Sequence, residues 1–371
     1  MAYYQATVSS PQIKENAQVI EHLQAEARNV LDALIPCNAH IILLDYPHHP
    51  NVGDSMIWLG EIAYLKSRGI KPSYVCDYKN YNADFIRRIY NENSLILIHG
   101  GGNFGSLWTH LHNFKLQVLR DFPKLPVIQL PQTVYFKDDQ DVAETAEVIK
   151  KHGNFILLVR SHESLALAQK YFCSNNILCP DSAFFIGAIS SKTLPSVDCF
   201  VLSRTDAEKS SAACLNKIKC CESPASETSD WLDTSNKEQL ITRVEMHHLV
   251  RNLFQRIDPS NRFLLIMWNL LARARLARGI TLLSKGKIVL TDRLHAHILS
   301  ILMNKQHVIV DNSYGKLGDF YHAWTSQYPC VLFVKDLTTL KKATTEFIGY
   351  INQRKKTDAN TAINNQTETS N

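Results

Sequence analysis

Short apolar runs alternate with longer amphipathic stretches through most of this chain. "IILLDY" (41–46), "PSYVCD" (72–77), "SLILIH" (94–99), "PVIQL" (126–130) and "FILLV" (155–159) form the first series. Runs this short and this uniformly apolar predict strands covered on both faces. Segments such as 55–68, 110–121 and 139–151 lie between them and carry helical periodicity. Strand, helix, strand in that rhythm predicts right-handed crossovers and a parallel sheet. A second series follows with "DCFVLS" (198–203), "KIVLTD" (287–292), "HVIVD" (307–311) and "CVLFV" (330–334).

At 371 residues the chain exceeds what one core usually holds. The expectation is an α/β protein of two domains joined near residue 190. An N-terminal helical extension covers 1–35, the first α/β domain 36–190 and the second 191–352. Residues 205–238 are polar and Ser-rich, which predicts a surface insertion within the second domain. From about Gln353 onward no apolar residues anchor the chain, so 353–371 is expected to be a disordered tail.

Composition narrows the class of partner. The hydrophobic share of 45% and charged share of 20% are those of an ordinary soluble globular protein. A net charge of +5 leaves room for anionic substrates or lipid head groups, but is not the footprint of a nucleic-acid binder. The nine cysteines are scattered, with Cys76, Cys199 and Cys330 inside apparent strands. That distribution suits a reduced cytoplasmic protein. Residues 1–30 lack the apolar core of a signal peptide, and no apolar stretch is long enough to span a bilayer. The stretch 264–283, with Arg273, Arg275 and Arg278, reads as a domain-core helix with a solvated basic face. Peripheral contact with a membrane surface is its less favoured alternative.

Candidate chemistry gathers where strands meet helices. Gly100, Gly102 and Gly105 in "LILIHGGGNFGSLW" fit the spacing of a dinucleotide loop. They follow the third strand, however, and Gln129 and Gln132 stand where an acidic ribose ligand belongs. No dinucleotide cofactor is expected. The glycines, Gly101 among them, let the backbone turn close to a ligand or a neighbouring element, and the Asn103 amide can orient a ligand or pin the loop. In "HHPNVGDSMI" (48–57), Asn51, Gly53 and Asp54 precede a helix, so Asp54 is either its N-cap or a ligand at the sheet edge. His48 and His49 lack a third ligand at metal spacing, and no metal is expected.

"VLTDRLHAHILSIL" (289–302) is the most informative stretch. A strand delivers Asp292, Arg293 and His295 to its carboxyl end just as a helix begins, which combines an anion-binding terminus, a guanidinium and a proton carrier. The bland alternative has Asp292 capping the helix and pairing with Arg293. His297 points to another face and reads as structural. Arg160 sits where another buried strand meets a helix and must find a partner or ligand. Asp181, Asn312, Tyr314 and Lys316 occupy further junctions. No P-loop, nucleophile elbow or zinc-protease helix is present.

Taken in order, "NVGDSMI", "HGGGNFGSLW", "PVIQLPQT", "LVRSHESL", "CPDSAFF", "VLTDRLHAHIL" and "DNSYGKLGDFYHAWT" resemble the polysaccharide pyruvyl transferases, over about residues 40–336. The resemblance implies two Rossmann-like domains in a glycosyltransferase-B-like architecture, with the active site in the inter-domain cleft. It implies transfer of the pyruvyl unit of phosphoenolpyruvate, as a ketal, onto a sugar of a polysaccharide or lipid-linked glycan precursor, with no further cofactor. It carries donor-binding and catalytic roles to Arg293, His295 and Arg160. The substrate-binding set expected around them is Asn51, Gly53, Asp54, Gly101, Gly102, Asn103, Gln132, Asp181, Asp292, Asn312 and Lys316. Ser106 departs from the pattern, since relatives often carry Asp there. Two other readings compete: a nucleotide-sugar glycosyltransferase of the same architecture, and an inactive glycan-binding relative.

Overall fold

A computed structural model describes residues 16–203, 226–232, 238–240, 242, 257–311, 315–335, 339–340, 342–347 and 349. The first series of elements runs α1 (Asn16–Leu34), β1 (His40–Leu44), α2 (Val52–Ser67), β2 (Tyr74–Cys76), α3 (Ala83–Ile89), β3 (Ser94–Ile98) and β4 (Gly101–Gly105). It continues with α4 (Thr109–Asp121), β5 (Val127–Tyr135), α5 (Asp139–His152), β6 (Phe155–Val159), α6 (His162–Tyr171) and β7 (Asn175–Leu178). The second series holds β8 (Val197–Leu202), β9 (Ser226–Ser229), α7 (Arg262–Ser284), β10 (Gly286–Thr291), α8 (Leu294–Leu302), β11 (His307–Val310), α9 (Lys316–Phe320) and β12 (Val331–Val334).

The strands form two sheets among the described residues, and every pairing is parallel. The seven-stranded sheet has the order β2-β1-β3-β5-β6-β7, with β4 beside β5; the five-stranded sheet has the order β12-β11-β10-β8-β9. Alternation along each strand sends successive side chains into different cores. Ile42 and Leu44 of β1 join Ile96, Val127 and Leu157 on one face, whereas Ile41 and Leu43 join Leu95, Ile128 and Leu158 on the other. In the smaller sheet Phe200 and Val289 face one cluster, and Val201 and Leu290 face another.

Two helices tie the series together. α1 places Val19 and Leu23 in a cluster with Phe200 and Val289, and Ala27 and Leu31 in the one behind β1. α7 buries Leu264, Trp268 and Ala272 beside Tyr46 and Trp58, then Leu283 beside residues of the smaller sheet. Trp268 stacks on Tyr46 with ring centroids 4.2 Å apart, and Trp58 Nε1 donates to Asn269 Oδ1 at 2.8 Å.

Three expectations need correction. The glycine segment is a strand where a loop was expected: Gly101–Gly105 pairs with β5, and the expected close approach to a neighbouring element is made there, since a Cβ on Gly105 would lie 1.9 Å from the Tyr135 carbonyl oxygen. Residues 226–232 do not stray over the surface: β9 extends the smaller sheet and Trp231 is buried, because the second sheet's edge needs a partner. The basic residues of α7 are not all solvated: Arg275 and Arg278 turn inward and donate to the carbonyls of Pro47, Pro50 and Trp231. Asn312, Tyr314, most of the 205–238 segment and the 353–371 tail lie outside the described residues. No helix among the described residues is long and apolar enough to cross a membrane.

Candidate active site

The carboxyl ends of the parallel strands open onto a cavity of about 410 Å³, the place where open α/β sheets bind ligands. Its walls include Asn51, Asp54, Gly102, Asn103, Arg160 and Thr133 from the first series, with Arg293, His295 and Lys316 from the second. Gly53, Gly101, Gln132 and Asp181 lie against residues of this wall, and Asp292 is buried next to Arg293 in sequence.

Each supporting residue has a definite job. Asn51 is the N-cap of α2, its side chain accepting from Gly53 N at 2.8 Å, so Asp54 is left for other work. Gly53 lies flat on the His295 ring: a Cβ there would come within 2.6 Å of Nδ1. Gln132 is fully buried and holds Asn103 through both ends of its amide, accepting from Asn103 N at 3.2 Å and donating to Asn103 Oδ1 at 2.7 Å. Gly102 runs beside Arg160, where a Cβ would stand 3.5 Å from Nη2.

β6 ends at Val159 and delivers Arg160, buried, into a polar cluster. Its Nη1 donates to Asp181 Oδ2 at 2.5 Å and its Nε to Thr133 Oγ1 at 2.9 Å. The same Asp181 oxygen lies 3.3 Å from His295 Nε2, which is itself 3.5 Å from Arg160 Nη1. Arg160, Asp181 and His295 thus form one cluster drawn from both series. Burial would push the Asp181 carboxyl up, but His295, Arg160 and the Ala183 N–H hold it well below the usual carboxylate range.

β10 delivers Arg293 to the start of α8. Arg293 occupies the N-cap position with extended backbone, and no side chain caps the helix. Asp292 therefore does not cap the helix as the bland alternative had it; Arg293 pairs with Asp230, Nη2 to Oδ1 at 2.5 Å, and its guanidinium lies 5.7 Å above the Trp231 ring. Asp230 and Trp231 fell within the stretch expected as surface insertion. Only the lone Trp in that polar run hinted that part of it turns inward.

Sequence reasoning also missed two buried ionic pairs at the cavity. Lys115 Nζ meets Asp45 Oδ2 at 2.7 Å, with both side chains buried and Asp45 at φ 73°. His99 Nδ1 meets Glu61 Oε2 at 2.8 Å, while Glu61 Oε1 accepts from Gly100 N. Burial works to lower the His99 pKa, yet the Glu61 carboxylate raises it overall. Ser106, the position that departs from the family pattern, donates to Asp141 Oδ2 at 2.7 Å.

Two parallel sheets thus bring an Arg–Asp–His cluster and a second arginine to one cavity. The profile of the family described as polysaccharide pyruvyl transferase matches residues 51–314, and the chain belongs to that family. It is 31% identical over 316 residues to a Bacillus subtilis (strain 168) protein named "Putative pyruvyl transferase EpsO", covering 84% of this chain and 94% of that one. It is 30% identical to "Pyruvyl transferase 1" of Schizosaccharomyces pombe (strain 972 / ATCC 24843), covering 76% of this chain and 69% of that one. The crystal structure of a functionally uncharacterised protein from Klebsiella pneumoniae subsp. pneumoniae NTUH-K2044 aligns with a TM-score of 0.55 at 20% identity, over 85% of this chain and 99% of that one. That likeness supports the parallel α/β fold.

Proposed function

We propose that this transferase moves the pyruvyl unit of phosphoenolpyruvate onto a sugar of a polysaccharide or lipid-linked glycan precursor, as a ketal. The observation that carries the reading is the convergence of Arg160, Arg293 and His295 on one cavity. Phosphoenolpyruvate bears a carboxylate and a phosphate on a small carbon skeleton. Two guanidiniums, the Lys316 ammonium and the uncapped first turn of α8 are donors suited to both groups. The exposed Trp108 in the same wall suits the apolar side of a sugar ring.

The chemistry follows from this placement. His295, paired with Asp181, protonates the methylene carbon of the donor, and the central carbon becomes electrophilic. One acceptor hydroxyl adds, phosphate leaves, and a second hydroxyl closes the ketal. Arg160 and Arg293 balance the charge that accumulates on carboxylate and phosphate. No cofactor beyond the donor is called for. A lipid-linked acceptor would bring the protein to a membrane face as a peripheral partner.

The test is to incubate the enzyme with phosphoenolpyruvate and candidate acceptors, following phosphate and the added pyruvyl mass. Phosphate should appear only with acceptor, and Arg293→Ala and His295→Ala should each abolish it. Wild-type rates in both variants would remove these residues from the site. Saturable binding of a UDP-sugar with none of phosphoenolpyruvate would replace the reading with a glycosyltransferase.

A further inference from the structure

Ketal formation needs more than an acid. Each acceptor hydroxyl must lose its proton as its oxygen bonds to the central carbon, and His295 is committed to the methylene carbon. Resting on the reading above, we propose that His49, oriented by Asp54, is the general base that takes the acceptor hydroxyl proton.

Geometry supports the assignment. His49 Nε2 lies 3.5 Å from Asp54 Oδ2, and the two side chains are 44% and 22% exposed. Both residues line the cavity that holds Arg160, Arg293 and His295. With Nε2 turned to the carboxylate, Nδ1 is the nitrogen left to meet an acceptor. Asp54 is available for this because Asn51 caps α2 in its place. Gly101, whose φ of 132° favours glycine, passes beside the carboxylate: a Cβ there would stand 3.4 Å from Asp54 Oδ1. Gly53, between the pair in sequence, packs on the His295 ring, so acid and base approach the substrate from touching segments.

A base must be neutral before it acts. Partial desolvation in the cavity wall pushes the His49 pKa down although one edge of the ring is open to solvent; Asp54 opposes this, Arg275 and His99 add to it, and Asp45 opposes it. The net direction is downward, which leaves the ring unprotonated near neutral pH, whereas an acid must start protonated. The proton balance closes. Two hydroxyl protons leave the acceptor; one offsets the proton that His295 gives to carbon, and the other departs with phosphate as hydrogen phosphate. His49 takes both hydroxyl protons in turn, gives one to the leaving phosphate and releases the other to solvent, from which His295 is reprotonated, so that both rings return to their starting forms.

The experiment is the pH dependence of kcat for wild type, His49→Gln and Asp54→Asn, with phosphoenolpyruvate affinity measured by calorimetry. Wild-type kcat should fall on the acid side, below the ordinary histidine value of about 6.5, as His49 takes up a proton. His49→Gln should bind phosphoenolpyruvate normally, lose kcat by about 100-fold and lose that acid limb. Asp54→Asn should keep the limb and move it to lower pH, because the carboxylate is what raises the His49 pKa. Retention of wild-type kcat and of the acid limb in His49→Gln would overturn this proposal alone. Absence of pyruvylated product with the wild type would overturn the functional reading, and this proposal with it.

Discussion

The first turn of α8 carries two histidines that face opposite regions of the molecule. His295 reaches the cavity, where a carboxylate and a guanidinium surround it and a ligand can approach. His297 turns into the smaller sheet's core, fully buried, with Nδ1 2.7 Å from His307 Nε2 and Nε2 2.8 Å from Thr325 Oγ1. In the core, the partners dictate every proton. The Lys305 carbonyl can only accept, so His307 Nδ1 donates to it at 2.8 Å and His307 Nε2 is left to accept. His297 Nδ1 therefore donates, His297 Nε2 accepts, and the Thr325 hydroxyl supplies the last proton. At the cavity, His295 meets a carboxylate that it shares with Arg160 and borders open space. The same side chain closes a hydrogen-bond chain in the core and stands beside open space at the cavity, where the proposed function uses it.

Breaking the cavity cluster gives the largest expected effect. Arg160→Leu would leave Asp181, fully buried, without its guanidinium, with the His295 ring and the Ala183 N–H as its remaining partners. Removing one partner of a buried pair costs about 3–5 kcal/mol. Chemical denaturation should show that loss together with loss of pyruvyl transfer. A destabilisation below about 1 kcal/mol would mean that the cluster is solvated and not buried.

Acid separates the two regions next. Burial lowers His307 to about 4 and His297 well below its ordinary value, where the His307 ring adds to the effect. A histidine whose folded pKa is depressed contributes stability that is fully present above the unfolded value of about 6.5, and lost as pH falls through the folded one. For His307 alone that loss approaches about 3 kcal/mol by pH 4. His112, also lowered to about 4, adds in the same direction from the larger sheet. Unfolding free energy measured between pH 7 and pH 4 should fall steadily, and replacing His307 by Gln should flatten the slope. A slope unchanged by that replacement would place the acid sensitivity elsewhere.

The two histidines also mark how far the sequence could be read. The change from strand to helix at Thr291 was plain, because "KIVLTD" is apolar up to its carboxyl end and "LHAHILSIL" is apolar at helical spacing. That placed Arg293 and His295 at a sheet edge and turned His297 away from it. What no pattern revealed was partnership across long separations. Asp181 reaches His295 over more than a hundred residues, and Asp230 reaches Arg293 from a stretch whose composition reads as solvated surface. β9 was hidden for the same reason: an edge strand of Ser, Glu and Thr lacks the apolar signature of its central neighbours. Arg275 and Arg278 deceived in the opposite sense, since a charged helix face normally marks solvent, and here carbonyl oxygens of the 47–50 loop and of Trp231 receive it.

Thr325→Val is the smallest and cleanest change. Valine keeps the shape and removes the hydroxyl, so His297 Nε2 is left buried with no proton donor and the closed chain ends one member short. Leaving a buried acceptor unsatisfied costs about 1–3 kcal/mol, which thermal unfolding resolves easily. Thr325 is buried against the far side of α8 and does not line the cavity, so kcat and KM for the proposed donor should stay within about twofold of wild type. If transfer fell tenfold while stability held, then the core histidine would be coupled to the cavity one through the first turn of α8, and the two would be parts of one device.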